Sequence, residues 1–197
     1  MEKHLVARQA SAIAATALLA TLGWSGSAFA ANTPAPKPSS SSTVLTGNAI
    51  DIAFAQMMIP HHQQASQMAF LALRFSKSPQ VLALARKINA AQQPEIATMK
   101  QWLKTWGAPM AVGSTSSMSH MGGGSTTDGQ VIELARLRGK RFDTLFVQMM
   151  IAHHQGAITE ARRVVKATRN SEVRKLAQAV ITGQSAEIIN MKEMLGK

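Results

Sequence analysis

The sequence predicts an all-α protein, a four-helix bundle assembled from two tandem helical hairpins. Residues 51–103 align with residues 143–195 at a constant offset of 92 without a gap, and 20 of the 53 aligned positions are identical. Within each copy, apolar residues recur at the helical period. Phe54, Met57, His61, Ala65, Met68, Ala72 and Phe75 share one stripe, while Gln56, Gln63, Gln67 and Arg74 fall off it. A second stripe follows a helix-start signal: Ser78-Pro79 leads into Val81, Leu84, Ala85, Ile88, Gln92, Ile96, Met99 and Leu103. Asn170-Ser171 stands at the matching place in copy two. Four such helices can bury their stripes against one another.

The elements follow in chain order. Residues 1–30 read as a secretory signal: Lys3, His4 and Arg8 form a basic start, Ala10 to Leu22 an apolar run, and Ala28-Phe29-Ala30 a cleavage pattern. The run falls short of the roughly 20 residues that a membrane span needs, so cleavage is expected, leaving a periplasmic or secreted protein without a stable membrane span. Residues 31–47, rich in Pro, Ser and Thr, read as a disordered spacer. The bundle domain is expected over 48–197, with repeat one at 48–106 and repeat two at 128–197. Between them lies a Gly-, Ser- and Met-rich linker, 107–127. That linker is long enough to leave two topologies open, a simple up-down-up-down order and a crossover.

Composition narrows the chemistry. The 197 residues include 12 Met and 6 His but no Cys, which excludes disulfides, thiolate zinc sites, iron–sulfur clusters and a cysteine nucleophile. Any soft-metal chemistry must run on Met and His. The formal charge of +11 reads as a solvated cationic face rather than a nucleic-acid surface, since the chain is expected to be exported.

The cores of the repeat are FAQMMIPHHQQA and FVQMMIAHHQGA. Met57 and His61 stand four apart, as do Met58 and His62, so a helix sets each pair on adjacent turns; Met149 with His153 and Met150 with His154 repeat the pattern. Hairpin turns near residues 78 and 170 bring Met57 level with Met99, His61 with Glu95, Met149 with Met191 and His153 with Glu187. Gln92, Glu95, Gln184 and Glu187 interrupt the apolar stripes, and a buried carboxylate needs a partner. A ligating imidazole would supply one, with Glu95 or Gln92 accepting its N–H. Thioethers favour Cu(I) or Ag(I), and imidazole serves either oxidation state of copper, so Cu(I) is the favoured ion, with Ag(I) and Cu(II) as alternatives. Met110, Met118, His120 and Met121 in the linker are further soft ligands suited to capture, or incidental residues of a flexible segment. Met68, whose counterpart is Glu160, and Met194 read as core filling. Pro60, replaced by Ala152 in copy two, is expected to kink the first helix and bare the Gln56 carbonyl. The competing reading is a metal-free helical interaction module of the envelope whose His pairs form core polar networks.

The paired MMI-[PA]-HHQ segments, with Gln92, Glu95, Ile96, Met99 and Lys100 downstream and their copy-two matches, resemble the ferritin-like "domain of unknown function 305" family over about residues 45–197. The resemblance implies a ferritin-like fold and copper or silver binding in the cell envelope, for homeostasis or resistance alongside other copper-handling proteins. It places the metal at Met57, Met58, His61, His62, Met99, Met149, Met150, His153, His154 and Met191. Ferritin-like di-iron chemistry is not expected: Glu95 is followed at i+3 by Thr98 and Glu187 by Asn190, where a Glu-x-x-His motif would place His. The protein is therefore expected to bind metal rather than to act as an enzyme.

Overall fold

The computed structural model describes residues 47–110 and 127–196, and among these every regular element is a helix. The helices are α1 (Ala49–Phe75), α2 (Pro79–Thr105), α3 (Asp128–Arg136), α4 (Gly139–Ala167) and α5 (Ser171–Met194). The signal reading of residues 1–30, most of the spacer, and Met118, His120 and Met121 lie outside the described residues. Gly47, the last spacer position, already packs on the domain; a Cβ there would sit 2.4 Å from Cδ2 of Trp106, so only glycine fits.

Local chemistry sets the boundaries. Asn48 caps α1 by accepting from the Asp51 amide, Ser78 caps α2 through the Val81 amide ahead of Pro79, and Asn170 caps α5 through the amides of Glu172 and Val173. α1 runs unbroken through Pro60 and α2 through Pro94.

One element departs from expectation. α3 is a fifth helix, begun by a capping box between Thr127 and Gln130 in a stretch whose short apolar pattern did not announce it. It ends where Arg138 donates to the carbonyls of Ala135 and Leu137 at 2.8 and 2.6 Å, with its guanidinium 3.6 Å from the centre of the Phe75 ring. Gly139, at φ 60°, then turns the chain into α4.

Two hydrogen bonds fix how the hairpins meet. Thr168, just after α4, donates to Asp51 near the start of α1 at 2.5 Å; Ser76, just after α1, donates to Asp143 near the start of α4, also at 2.5 Å. These are equivalent pairs at the repeat offset. They set α1 and α4 antiparallel, so α2 ends at one end of the bundle and α4 begins at the other. A helix the length of α2 spans about 40 Å. The connection is therefore a crossover, as in ferritin-like bundles.

The apolar core forms two clusters. Phe54, Met58, Ile96, Met99, Leu103, Ala161, Val164 and Val173 belong to one; Met68, Leu84, Ile88, Leu134, Phe142, Phe146, Met150 and Met191 belong to the other. Met68 is fully buried and Met194 packs at the edge of the same cluster, as their reading as core filling expects.

Asp51 is 1% exposed and depends on its hydroxyl partner. Thr168→Val leaves that carboxylate without its short hydrogen bond and is expected to destabilise the fold by about 1–3 kcal/mol. The loss in a Thr168→Val/Asp51→Ala double variant should fall short of the sum of the two single losses, measured by urea denaturation.

Candidate metal centre

α1 packs against α2 and α4, and α4 against α1, α3 and α5, so their buried faces are wider than a single stripe and bury both residues of each His pair. His61 and His62 lie near the middle of α1, His153 and His154 near the middle of α4, all 0–2% exposed. One His of each pair turns to its own hairpin: His62 Nε2 lies 2.6 Å from Glu95 Oε2 of α2, and His154 Nε2 lies 2.8 Å from Glu187 Oε2 of α5. The other turns to the opposite copy. The rings of His61 and His153 meet with centroids 3.6 Å apart and planes tilted by 34°.

This pairing corrects the expected register. Glu95 was expected opposite His61 and Glu187 opposite His153, but each carboxylate takes the following histidine. Neighbouring residues differ in height by only about 1.5 Å along a helix but point about 100° apart, so direction decides. Gln92 is likewise not the acceptor. Its amide and that of Gln184 are buried without a hydrogen-bond partner among the described residues.

The electrostatics keep the central imidazoles neutral. Burial, reinforced by the His62 and His154 rings nearby, pushes His61 down to about 3 from an ordinary 6.5. Burial, with His61 as its next largest cause, also sets His153 well below the ordinary value. A neutral imidazole carries one N–H and one lone pair. Neither nitrogen of His61 or His153 finds a partner among the described residues, nor does Nδ1 of His62 or His154. A carboxylate oxygen accepts, so in these contacts Nε2–H of His62 and of His154 donates, and in the neutral form of either ring the lone pair then lies on Nδ1.

Each of the four histidines stands four residues, about one helical turn, after a methionine on the same helix. Met58, Met99, Met150 and Met191 are 0% exposed, Met149 is 7% exposed and Met57 is half-buried. Met58 and Met99 belong to one apolar cluster, Met149, Met150 and Met191 to the other. Met110, at the start of the linker, is 48% exposed. Among the described residues no three His, Asp or Glu side chains converge as a preformed cage. The side chains on these faces of α1, α2, α4 and α5 offer thioether sulfur and imidazole nitrogen, a chemistry that favours soft ions over hard ones.

Residues 51–195 match the sequence family described as Domain of unknown function (DUF305). The chain belongs to this family. The DUF305 fragment from Deinococcus radiodurans is 30% identical, with 76% of this chain and 97% of that one covered and a TM-score of 0.70. CopM in its Cu(I)-bound form is 36% identical, covering 73% of this chain and 94% of CopM, with a TM-score of 0.63. CopM in an Ag-bound form is 33% identical, covering 73% and 93%, with a TM-score of 0.60, and CopM has also been solved in a Cu(II)-bound form. No functionally curated protein matches the chain.

Some residues of this DUF305 chain that shape the centre carried no sequence signal. Lys87 of α2 reaches across to Glu187 Oε1 of α5 at 3.8 Å, and its counterpart at the repeat offset is Ala179. The Asp51–Thr168 and Ser76–Asp143 bonds, by contrast, were half visible, because Asp51 and Asp143 are identical across the repeat.

The neutral central pair makes the metal-free fold acid-sensitive. Because His61 is depressed in the folded state, the unfolded chain binds more protons between about pH 3 and 6.5, and stability rises with pH across that window. Urea midpoints of the metal-free protein should fall as pH drops from 6.5 toward 3. Replacing both His61 and His153 by Leu should flatten that limb.

Proposed function

We propose that this protein is an exported copper-binding protein that takes up Cu(I) as cargo on paired Met and His side chains, buffering it or passing it to other copper-handling proteins of the cell envelope. One observation carries the reading: a buried layer of four imidazoles has six ring nitrogens without partners, and each of these histidines follows a methionine by one helical turn. Each unpaired buried polar atom costs about 1–3 kcal/mol, so a fold that keeps several of them is suited to a ligand that pairs them. The likeness to CopM, solved with Cu(I), Cu(II) and Ag, supports the choice of ion. The signal-like residues 1–30 support export, and no described helix is long and apolar enough to cross a membrane.

In this reading His61, His153 and the Nδ1 atoms of His62 and His154 supply nitrogen. Met57, Met58 and Met99, with Met149, Met150 and Met191, supply sulfur. Glu95 and Glu187 hold the tautomer that presents Nδ1, and Gln92 and Gln184 lie one helical turn before them. A soft donor set with thioethers, which form no disulfides, in place of thiols suits an oxidising compartment. In this reading the role is binding.

The metal-free module is the rival reading. It requires the imidazoles to satisfy one another, and the unpartnered nitrogens argue against that. Anaerobic titration against a chromophoric Cu(I) chelator separates the two: the protein should withdraw copper, with sulfur-rich coordination by X-ray absorption. The double variant His61→Ala/His153→Ala should bind more weakly. Glu95→Gln with Glu187→Gln should weaken binding about 10–100-fold. Copper in large excess over Kd should raise the thermal midpoint, since a ligand selective for the native state stabilises it by about 4 kcal/mol at a thousandfold excess. An unchanged midpoint with no copper withdrawn would favour the metal-free module.

A further inference from the structure

Because the two hairpins repeat at a fixed offset, every difference between them at the histidine layer is informative. Four differences point the same way. Met57 is half-buried, while its counterpart Met149 is 7% exposed. The side chain of Glu95 is 20% exposed and that of Glu187 6%. Glu187 has a cation, Lys87, 3.8 Å away, and the position equivalent to Lys87 on the other side is Ala179. Finally, α3, which precedes only copy two, sets Val131 and Leu134 into the apolar cluster that includes Met149.

The surface outside copy one is also distinctive. Gln56 Nε2 donates to the Pro109 carbonyl at 2.8 Å, which ties the chain leaving α2 against α1 one residue before Met57. The next residue of that chain is Met110, 48% exposed. Met110 is exposed, Met57 and Glu95 are half-buried, and His62 is 0% exposed. Pro60 and Pro94 flank the His62–Glu95 pair and withhold the amides that would bond the Gln56 and Ala90 carbonyls; Ala152 and Ala186 stand there in copy two.

We propose that a soft monovalent cation reaches the buried imidazoles from the copy-one side, past the thioether of Met57 and the carboxylate of Glu95, while α3 and Lys87 keep the copy-two side closed. The inference rests on the copper reading above and adds a direction to it. A thioether outside and a carboxylate inside suit a singly charged soft ion, first captured by sulfur and then drawn in by negative charge.

The symmetry supplies a matched pair of variants. Ala91 and Gly183 are equivalent, both exposed, and each stands four residues before its glutamate. Ala91→Lys places a cation beside Glu95 and Gly183→Lys places one beside Glu187. Neither residue belongs to the donor set. The full-length chain is mixed anaerobically with Cu(I) held by a chromophoric chelator, and loss of chelator absorbance is followed in time and to its endpoint. Ala91→Lys should slow uptake by about threefold to tenfold at low ionic strength, an effect that salt reduces, with an unchanged endpoint. Gly183→Lys should leave the rate unaltered. Equal slowing by both variants, slowing by Gly183→Lys alone, or no slowing by either, with copper still withdrawn at the endpoint, overturns the route and leaves the copper reading standing. No copper withdrawn by the parent protein overturns both. A metal-free readout runs beside it: under dilute peroxide, Met57 sulfoxide should form faster than Met149 sulfoxide by peptide mass spectrometry, and equal or reversed rates also overturn the route.

Discussion

The constraint on which the structure depends is the burial of four imidazoles, two of them paired with glutamates of which one is buried and one half-buried, at mid-height in an otherwise apolar bundle. Desolvation keeps His61 and His153 neutral, and each of the other two histidines is hydrogen-bonded to the glutamate of its own hairpin. Two apolar clusters rich in methionine provide the packing, and the polar groups are placed at the helix midpoints, furthest from water at either end. A hydrophobic replacement of the whole set could be as stable or more so, because buried polar groups are weak evidence for stability in themselves. Their retention in both halves of the repeat therefore points toward chemistry rather than packing.

The duplication explains the economy of the design and its departures explain the asymmetry. One hairpin plan, used twice and set antiparallel through α1 and α4, brings His61 against His153 with each His–Glu pair on its own side. Three additions then distinguish the halves: prolines at positions 60 and 94 in copy one, Lys87 reaching to copy two, and α3 laid over the second cluster. Each is a local change on a repeated frame. Beside these changes Met57 and Glu95 of copy one are more exposed than Met149 and Glu187 of copy two, while the paired Met and His positions are identical.

Most of the fold was legible in the sequence because it rests on periodicity. The stripes, the turns near 78 and 170 and the caps at Ser78 and Asn170 are local signals, and the repeat tests each of them twice. The ten Met and His positions were readable for the same reason, and their places in the fold are as described above. What was not legible depended on direction or distance. Pairing of Glu95 with His62 rather than His61 turns on a rotation of about 100° that a height argument cannot see. Lys87 acts on Glu187 across 100 residues of chain with no copy-two equivalent to flag it. The crossover could not be chosen from a linker long enough for either topology, and α3 was hidden by its shortness, with only Val131 and Leu134 of its described residues fully on its buried face.

The paired hydroxyl–carboxylate bonds at the two ends of the α1–α4 interface have one more consequence. Each hairpin carries both members of the bond, an Asp at its opening and a hydroxyl at its turn, and presents them to a partner that carries the same two. Such a surface is self-complementary in the manner of a twofold dimer interface. The crossover between α2 and α4 therefore does more than connect: it replaces an association that would depend on protein concentration with a closure inside one chain. Once the partners were fixed in this way, the halves were free to diverge, since neither had any longer to match a copy of itself.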